Sequence, residues 1–244
     1  MARPYIVVTG AASGIGYAVV ERQLKHGNNV IAVDLNADRL SERFSDNPNV
    51  KTIACDLTVD DSFEFLTNEI KSICDDVSGF VHAAGIDVMA PIGLIRSAAM
   101  QKLFVIHAVF PVRFLGWMAK KDNHAENAAC VLISSLSAHE GAKGHVAYAA
   151  AKGAVEGILK PAAAELLDKG IRLNEVVLGV VETEMSQGWI KKLSVDQKAE
   201  LEGQYPLGLG TPQTVADSIG FLLSSEAWWI TGQTIVCDGG HNLV

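Results

Sequence analysis

The fold is decided by the stretch Tyr5-Ile6-Val7-Val8-Thr9-Gly10-Ala11-Ala12-Ser13-Gly14-Ile15-Gly16, in which a β-branched apolar run passes through a glycine-rich turn into an apolar helix. Gly10 permits a tight turn out of the strand, Gly14 removes a Cβ that would block a pyrophosphate, and Gly16 lets the helix pack closely on the sheet. The helix N-terminus then offers free N–H groups and the positive end of its dipole to phosphates. Any tight strand-to-helix turn favours glycine, so it is the position after the first strand that predicts a dinucleotide-binding loop.

Outside this stretch, short apolar runs alternate with longer segments of helical period. Strands that are apolar nearly throughout are covered on both faces, and their alternation with helices indicates right-handed βαβ units. The sequence therefore predicts an α/β fold, a three-layer doubly wound parallel sheet (Rossmann fold) of about seven strands with helices on both faces, as a single domain over residues 1–244. The predicted strands are Ile6–Thr9, Val30–Asp34, Lys51–Cys55, Gly79–Ala83, Cys130–Ser134, Arg172–Val177 and Thr234–Cys237, and the predicted helices are Gly14–His26, Ala37–Arg43, Asp60–Cys74, Ala98–Lys120, Ala147–Asp168 and Thr214–Leu223, with a helical segment within Met185–Glu202.

Composition narrows the classes of function. The 244 residues carry a net charge of −8 and no long basic run, which disfavours a nucleic-acid partner. No apolar run reaches the roughly 18 residues of a membrane span and no signal peptide precedes the first strand, so the expected location is the cytoplasm. The cysteines have no metal-ligand spacing, and we expect reduced, mostly buried thiols and no metal site; they are Cys55, Cys74, Cys130 and Cys237.

A carboxylate, Asp34, ends the second predicted strand. An acidic side chain there can accept both hydroxyls of the adenine ribose and repels a 2′-phosphate. Ser13 is not basic and no Arg or Lys directly follows Asp34, so NAD is favoured over NADP. The alternative role of Asp34 is to cap the next turn. Asp56, after the third strand, can bond the adenine amino group or cap the following helix.

Three polar residues carry the candidate chemistry: Ser135 after the fifth strand, and Tyr148 and Lys152 on the next helix. Residues four apart on a helix share a face, so the phenol and the ammonium can point into one cavity. A tyrosine has a reference pKa of about 10, and a lysine cation beside it is expected to lower that pKa. A serine hydroxyl can hydrogen-bond a substrate oxygen as charge develops on it. Together with the glycine loop, these residues predict acid–base chemistry on an oxygen.

The sequence resembles the short-chain dehydrogenase/reductase family from end to end, through the glycine loop, His82-Ala83-Ala84-Gly85, the YxxxK pair Tyr148/Lys152, Ile171-Arg172-Leu173-Asn174 and Asp238-Gly239-Gly240. The resemblance implies that Tyr148 donates or accepts the proton and that Lys152 also holds the nicotinamide ribose. Ser135 is implied as the serine that orients the substrate oxygen, ahead of Ser134 and Ser137, because its spacing from Tyr148 is typical of the family. The cofactor-binding residues implied are Gly10, Ser13, Gly14, Ile15, Gly16, Asp34, Asp56, Leu57, Ala83, Ala84, Gly85, Tyr148, Lys152, Val181 and Thr183.

By the same resemblance, the segment after the sixth strand wraps the nicotinamide end of the cofactor. Val181 is expected to bond the carboxamide through its backbone, and Thr183 to contact the carboxamide or the phosphates. Residues 184–205 are expected to form a mobile lid over the substrate, although an ordinary surface helix has the same composition. The substrate pocket is expected between this lid and the segment Asp87–Ser97.

Three positions depart from the family pattern. His82-Ala83-Ala84-Gly85 replaces Asn-Asn-Ala-Gly but keeps the small residues that let adenosine approach. Leu178-Gly179 replaces Pro-Gly and is expected to loosen the turn beneath the nicotinamide. His107 stands in place of a catalytic asparagine that helps to hold a water next to the lysine. Our hypothesis is that His107 takes over this relay, since a neutral imidazole can hold a water; a packed histidine is the equally weighted alternative.

These features predict an oxidoreductase that interconverts a ketone and a secondary alcohol with NAD(H). Two alternatives stay open: a 3-oxoacyl-thioester (acyl-carrier-protein) reductase, and a non-catalytic dinucleotide-binding sensor or scaffold, for which His107 is the support. The expected partner is a small-molecule carbonyl or alcohol, without nucleic acid or membrane. The resemblance further implies a homotetramer or a homodimer through the helices Ala98–Lys120 and Ala147–Asp168, with Trp228-Trp229 as interface anchors or as core.

Overall fold

The computed structural model describes residues 5–243. Its strands are β1 (Tyr5–Thr9), β2 (Asn29–Asp34), β3 (Val50–Ala54), β4 (Val77–His82), β5 (His124–Ser135), β6 (Arg172–Leu178) and β7 (Thr234–Cys237). They form one parallel sheet in the order β3-β2-β1-β4-β5-β6-β7, which confirms the predicted doubly wound fold. The order reverses between β1 and β4, so the loops that follow these two strands open a crevice at the carboxyl edge of the sheet.

Nine α-helices connect the described strands: α1 (Gly14–Lys25), α2 (Ala37–Phe44), α3 (Ser62–Ile73), α4 (Ser97–Phe104), α5 (Phe110–Met118), α6 (Val146–Leu167), α7 (Glu184–Ile190), α8 (Val195–Gly203) and α9 (Pro212–Leu223). Each predicted strand is present, and so is each predicted helix except Ala98–Lys120, with most ends displaced by one or two residues. β5 begins six residues earlier than predicted, at His124 rather than Cys130. Its polar beginning hid the extension, because a run such as Glu126-Asn127 interrupts the apolar pattern that predicts a strand.

The predicted helix Ala98–Lys120 is wrong as a continuous α-helix. The structure divides it into α4, a π-helical turn at Val105–Val109, and α5, whose first turn holds Pro111. A proline has no N–H to donate, and π-helical turns often mark functional sites. His107 lies within this turn.

Two apolar layers cover the sheet. Successive strand residues face opposite sides, so Val7 packs with residues of α3, α5 and α6, while Val8 packs with residues of α1 and α9. Both valines are fully buried. Helices on both faces explain why these strands are apolar throughout, and they leave the carboxyl edge as the place where polar side chains can meet.

One stretch, Ser97–Met118, has the length and apolarity of a membrane-crossing helix, with a mean hydropathy of 1.3. Lys102, His107 and Arg113 interrupt this stretch, so it is not an uninterrupted apolar run of the kind sought in the sequence, although its mean hydropathy reaches that of a membrane span. Its apolar residues have another partner, because Leu103, Phe110 and Phe114 are buried in the domain. The high hydropathy of this stretch is explained by its packing against the sheet and α6.

The four cysteines are free, and two of them, Cys55 and Cys130, are buried while Cys74 and Cys237 are partly exposed. Burial raises the pKa of Cys74 to about 11 and that of Cys130 to about 12, so both thiols stay protonated at neutral pH. Within residues 5–243, no cluster of three or more His, Cys, Asp or Glu side chains is placed to hold a metal ion.

Candidate active site

The glycine loop after β1 is shaped by close backbone contacts. Gly10 has φ +67°, and a Cβ there would lie 2.8 Å from the backbone of Ala83 and Ala84 at the end of β4. A Cβ on Gly16 would overlap the carbonyl oxygen of Gly10. These two glycines therefore let α1 start directly against the strand ends, as their spacing predicts.

The N-terminus of α1 is open to an anion. Ser13 is the N-cap, but its side chain makes no capping hydrogen bond, and the first turn contains no acidic residue. Unpaired N–H groups and the helix dipole at this end favour a phosphate. Ser13, Gly14 and Ile15 line the same cleft, of about 430 Å³, as the candidate catalytic residues. The residues present therefore fit the pyrophosphate of a dinucleotide.

Asp34, at the end of β2, holds two turns together. Its Oδ2 accepts the N–H of Ala12 at 3.0 Å, and its Oδ1 accepts the N–H of Asn36 at 3.0 Å. Asp34 therefore caps the turn that follows β2, which is one of the two roles predicted for it. Each carboxylate oxygen has a second lone pair, so the ribose-binding role is compatible with it. The nearest arginine along the chain, Arg39, is paired with Glu184 at 2.7 Å.

Asp56 caps a turn rather than a helix. Its Oδ1 accepts the backbone N–H and the hydroxyl of Thr58, and these bonds lower the pKa of the carboxyl. α3 starts later, with Asp61 at its N-cap, so the predicted helix-capping role is wrong. Asp56 and Leu57 both line the cleft, as do Ala83, Ala84 and Gly85 from the end of β4.

The three candidate catalytic side chains converge in this cleft. Lys152 is 6% exposed, and its Nζ donates to the carbonyl of Ile133 at 2.8 Å and lies 5.5 Å from the centre of the Tyr148 ring. Ser135 and Tyr148 line the same cleft, and the Ser135 hydroxyl acts to lower the pKa of the phenol. α6 thus presents Tyr148 and Lys152 on one face toward the end of β5, as the i, i+4 spacing predicts.

The pKa of Tyr148 shifts in the direction opposite to the one expected from Lys152. Burial raises the pKa of the phenol, the Asp87 carboxylate adds to the rise, and the hydrogen bond with Ser135 opposes it. Burial lowers the pKa of Lys152 to about 8, although Glu175 and Asp87 act to raise it. The phenol is therefore protonated at neutral pH, which is the form that can donate a proton to a carbonyl oxygen.

The other two serines differ in orientation. Ser134 donates to Glu156 Oε1 at 3.1 Å and to the carbonyl of Lys152 at 3.3 Å, so its hydroxyl is committed to α6. Ser137 accepts a hydrogen bond from Ser135 at 3.2 Å and donates its backbone N–H to the same hydroxyl. Of these three serines, Ser135 is the one that acts on the pKa of the Tyr148 phenol, and its hydroxyl is held by Ser137.

Two neutral histidines brace the π-helical turn against the end of β4. The His82 Nε2 donates to the carbonyl of Ile106 at 2.7 Å and its Nδ1 accepts from the Thr9 hydroxyl at 2.9 Å. The His107 Nε2 donates to the carbonyl of Ile86 at 2.8 Å. We assign the protons to Nε2 because a carbonyl can only accept. Burial lowers the pKa of His82 to about 4 and that of His107 to about 2.

The His107 ring lies in the catalytic cluster. It packs edge-on to the Tyr148 ring, with centres 5.7 Å apart, and covers Gly85, where a Cβ would lie 2.5 Å from its Cε1. With Nε2 donating, Nδ1 is left as an acceptor for a water. Packing and a relay role are therefore compatible, and the relay stays our hypothesis.

We expect His107→Leu to lower kcat by about tenfold, since assistance to proton transfer is worth one or more orders of magnitude. The apparent pKa of the pH–rate profile should shift as well, whereas His107→Asn, which restores the family's residue and can still donate to Ile86, should keep the rate and the affinity for NADH. A His107→Leu profile with the same rate and the same apparent pKa as the wild type contradicts the relay.

The turn after β6 is firmly held, so the expected loosening by Leu178 is wrong. The N–H of Gly179 donates to the carbonyl of Cys237 at 3.1 Å, and the N–H of Val180 donates to the Tyr205 hydroxyl at 3.1 Å. Leu178 itself belongs to β6 and pairs with Ser135 and Cys237. Tyr205 and β7 thus replace the stiffness of a proline.

Val181 and Thr183 both line the cleft, and their contacts with the cofactor stay a prediction. The Val181 carbonyl accepts the Ser186 hydroxyl at 2.7 Å. Thr183 caps α7 through a capping box with Ser186, and its methyl group would lie 3.4 Å from a Cβ on Gly14. The first turn of α7 therefore faces the phosphate end of the cleft.

Two residues with functional potential, His145 and Glu175, were missed in the sequence, and Asp87 was named only as the start of the expected pocket segment. Asp87 and His145 line the cleft beside Tyr148, and Glu175, in the middle of β6, is fully buried. Burial raises the pKa of Glu175 to about 7, and Glu156 adds to the rise. A charged residue inside an apolar strand was a visible signal for Glu175. Asp87 follows directly after the β4 motif, at the edge where ligands bind in such sheets.

Comparisons with known proteins cover almost the whole chain. Residues 10–242 match a family model described as "Enoyl-(Acyl carrier protein) reductase". The chain is 31% identical to "Uncharacterized oxidoreductase YmfI" of Bacillus subtilis (strain 168), over 96% of this chain and 97% of that protein. It is also 31% identical to "3-oxoacyl-[acyl-carrier-protein] reductase FabG" of Vibrio harveyi, over 98% of this chain and 97% of that protein.

Solved structures also superpose on almost the whole chain. A 4-hydroxyisoleucine dehydrogenase complexed with NADH superposes with a TM-score of 0.91 at 26% identity, covering 99% of this chain and 100% of that one. A short chain dehydrogenase family protein from Francisella tularensis subsp. tularensis SCHU S4 has a TM-score of 0.89 at 28% identity, with both chains fully covered. ElxO with NADP bound has a TM-score of 0.86 at 27% identity, again with both chains fully covered.

Proposed function

The chain belongs to the short-chain dehydrogenase/reductase family of oxidoreductases, and from this premise we propose that it interconverts a ketone and a secondary alcohol with NAD(H), using Tyr148 as the acid and base. The observation that carries the proposal is the convergence of Tyr148, Lys152 and Ser135 in the cleft that begins at the open N-terminus of α1. A nucleotide site and an acid–base site share one cavity, as hydride transfer to a carbonyl carbon requires.

The contacts of Ser135, Tyr148 and Lys152 in the cleft suggest a role for each of them in the reaction. The nicotinamide, when bound, supplies the hydride. A substrate oxygen beside Ser135 and Tyr148 accepts from both hydroxyls, with Ser135 turning its proton from Ser137 Oγ to the substrate, and the protonated phenol gives its proton to that oxygen in reduction. Lys152, whose Nζ donates to the Ile133 carbonyl, would hold the nicotinamide ribose and keeps a positive charge near the phenolate that results. Val181, Thr183 and the glycine loop would hold the rest of the dinucleotide.

NAD is the proposed cofactor. Leu35, which follows Asp34 in the cleft, is 68% exposed and offers no charge to a 2′-phosphate. Arg39 is engaged with Glu184, and Asp34 would repel the phosphate. The similar solved structures include one with NADH and one with NADP. The proposal of NAD therefore rests on Asp34, Leu35 and Arg39 of this chain.

A second candidate is reduction of a 3-oxoacyl thioester, which the names of the curated relatives favour. That chemistry usually goes with NADPH and a basic residue in place of Ser13, and an acidic carrier protein would have to dock on a chain of net charge −8. These features make it the weaker candidate. A non-catalytic sensor or scaffold is weaker still, because Ser135, Tyr148 and Lys152 are assembled.

The function is tested by NADH fluorescence on binding, followed by absorbance at the NADH band with a panel of ketones, secondary alcohols and 3-oxoacyl thioesters. We expect binding together with turnover of ketones and alcohols. Turnover of the thioesters alone, with NADPH, indicates the second candidate. Binding without turnover across the panel contradicts an enzymatic role and favours the sensor.

We further propose that residues 1–244 act as one domain in which residues 184–205 form the lid, and that the protein works in the cytoplasm. α8 buries none of its residues, as suits a segment that moves, and the Arg39–Glu184 pair links α2 to the start of α7.

Assembly into a homotetramer or a homodimer is also a proposal. Exposed apolar residues on the helices support it, namely Val109, Val112, Val146 and Leu167. Trp228 and Trp229 are stacked and 70% and 86% exposed, so the core role considered for them is wrong, and the role of interface anchors is the one kept.

A further inference from the structure

Two of the residues that line the cleft each have a buried side-chain atom without a hydrogen-bond partner among the described residues. Asp87 Oδ1 and His145 Nδ1 make no hydrogen bond with any residue in 5–243 and are shielded from solvent. A buried polar group without a partner is costly, and such groups in native proteins call for an explanation. Because both residues line the cleft that holds Tyr148, a ligand group is the explanation that fits their position.

The side chains of Asp87 and His145 lie on the same wall of the cleft. Asp87 follows β4 and His145 precedes α6, and the N–H of Ala90 donates to the carbonyl of Gly144 at 2.9 Å, which joins the two loops. The His145 ring lies edge-on to the Tyr148 ring, with centres 6.5 Å apart. The wall therefore lies next to the oxygen that Tyr148 serves.

The chemistry of the pair defines the ligand group. A carboxylate can only accept hydrogen bonds, and an imidazole nitrogen can accept or donate according to its tautomer. A hydroxyl can donate to Asp87 and accept from His145, and an ammonium can donate to both. A methylene can do neither, and it would leave Asp87 Oδ1 without a partner.

Resting on the function proposed above, we propose that Asp87 and His145 form a specificity subsite for a substrate that bears a hydrogen-bond-donating substituent, a hydroxyl or an ammonium, on the carbon next to the one that reacts. The preferred substrates are then vicinal diols or amino alcohols and the corresponding ketones. A 3-oxoacyl thioester carries methylenes on both sides of its keto carbon and does not satisfy this wall. A preference for these substrates thus distinguishes the interconversion of a ketone and an alcohol from the reduction of a 3-oxoacyl thioester.

The test uses three alcohols of matched size with NAD⁺: 1,2-butanediol, 1-amino-2-butanol and 3-pentanol, which differ in one hydroxyl, ammonium or methyl group. We expect kcat/KM for a donor-bearing alcohol to exceed that for 3-pentanol by about 100-fold, because a site built around a substrate hydroxyl or amine rejects the analogue without it. The effect should lie largely in KM. Equal kcat/KM values for all three, with turnover present, overturn the subsite and leave the proposed function standing.

Variants identify the group that is recognised. Asp87→Asn keeps an acceptor but removes the charge, so it should abolish a preference for the ammonium and keep part of a preference for the hydroxyl. Asp87→Leu should abolish either preference. Asp46→Asn, an exposed carboxylate on the loop before β3, is the matched control and should leave the ratio unchanged. A ratio that persists in Asp87→Leu overturns the role of Asp87.

Binding separates the subsite from catalysis. Calorimetric titration of the Tyr148→Phe protein, saturated with NAD⁺, gives dissociation constants for the same alcohols without turnover. Discrimination in binding with no turnover by the wild type supports the subsite and contradicts the proposed function. No discrimination in either measurement overturns the subsite.

Discussion

Tyr148→Phe should lower kcat by about 10³- to 10⁴-fold while the affinity for NADH is kept. The substitution removes only the hydroxyl that meets Ser135, and the ring can still pack against His107. Since burial holds the phenol in its protonated form, its loss removes the proton donor of the reduction rather than a charge. Stopped-flow absorbance at the NADH band measures the chemical step, and NADH fluorescence measures binding.

Tyr5→Phe is the matched control for this variant. Tyr5 is the first residue of β1, at the edge of the sheet opposite the cleft, so we expect no change in the chemical step. A Tyr148→Phe protein that turns over at a rate near that of the wild type excludes Tyr148 as the acid and base.

The double variant Asp34→Ser with Leu35→Arg should change the ratio of kcat/KM for NADH to that for NADPH by about 10³-fold in favour of NADPH. Serine removes the carboxylate that we propose to bond the ribose and to repel a 2′-phosphate, and a hydrogen bond to a charged group is worth about 1.5–3 kcal/mol. Leu35 is exposed in the cleft, so an arginine there can reach the phosphate. Initial rates with both cofactors, at one saturating alcohol or ketone concentration, give the ratio.

Stability must be followed beside this ratio, because Asp34 also accepts the N–H groups of Ala12 and Asn36. A serine can replace one of these bonds, and we expect unfolding by urea at a slightly lower midpoint. Leu35→Arg alone, which keeps both bonds, is the control for the charge. A wild type that already prefers NADPH contradicts the assignment of NAD.

The sequence was informative wherever a single local pattern had one physical meaning. Gly10, Gly14 and Gly16 could be assigned because tight turns and close helix packing require the absence of a side chain. Tyr148 and Lys152 could be assigned because four residues on a helix bring two side chains onto one face. The parallel sheet followed from strands that are apolar on both faces.

The sequence was wrong where neighbouring segments decide the outcome. The π-helical turn at His107 depends on backbone bonds that no periodicity reports, so the segment was predicted as one α-helix. The stiffness of the turn at Gly179 comes from Tyr205 and β7, which are distant in the chain. The pKa of Tyr148 rises because of burial, whereas the local spacing had predicted that Lys152 would lower it.

The sequence by itself determined the doubly wound sheet, the nucleotide loop and the pair Tyr148/Lys152, since each depends on residues close together in the chain. Only the tertiary structure decided that Asp87 and His145 share one wall of the cleft and that Glu175 is buried close enough to Lys152 for each to shift the pKa of the other. The physical reason is that hydrogen-bond partners and desolvation are properties of the packed chain. A side chain acquires them only when strands and loops far apart in sequence meet at the carboxyl edge of the sheet.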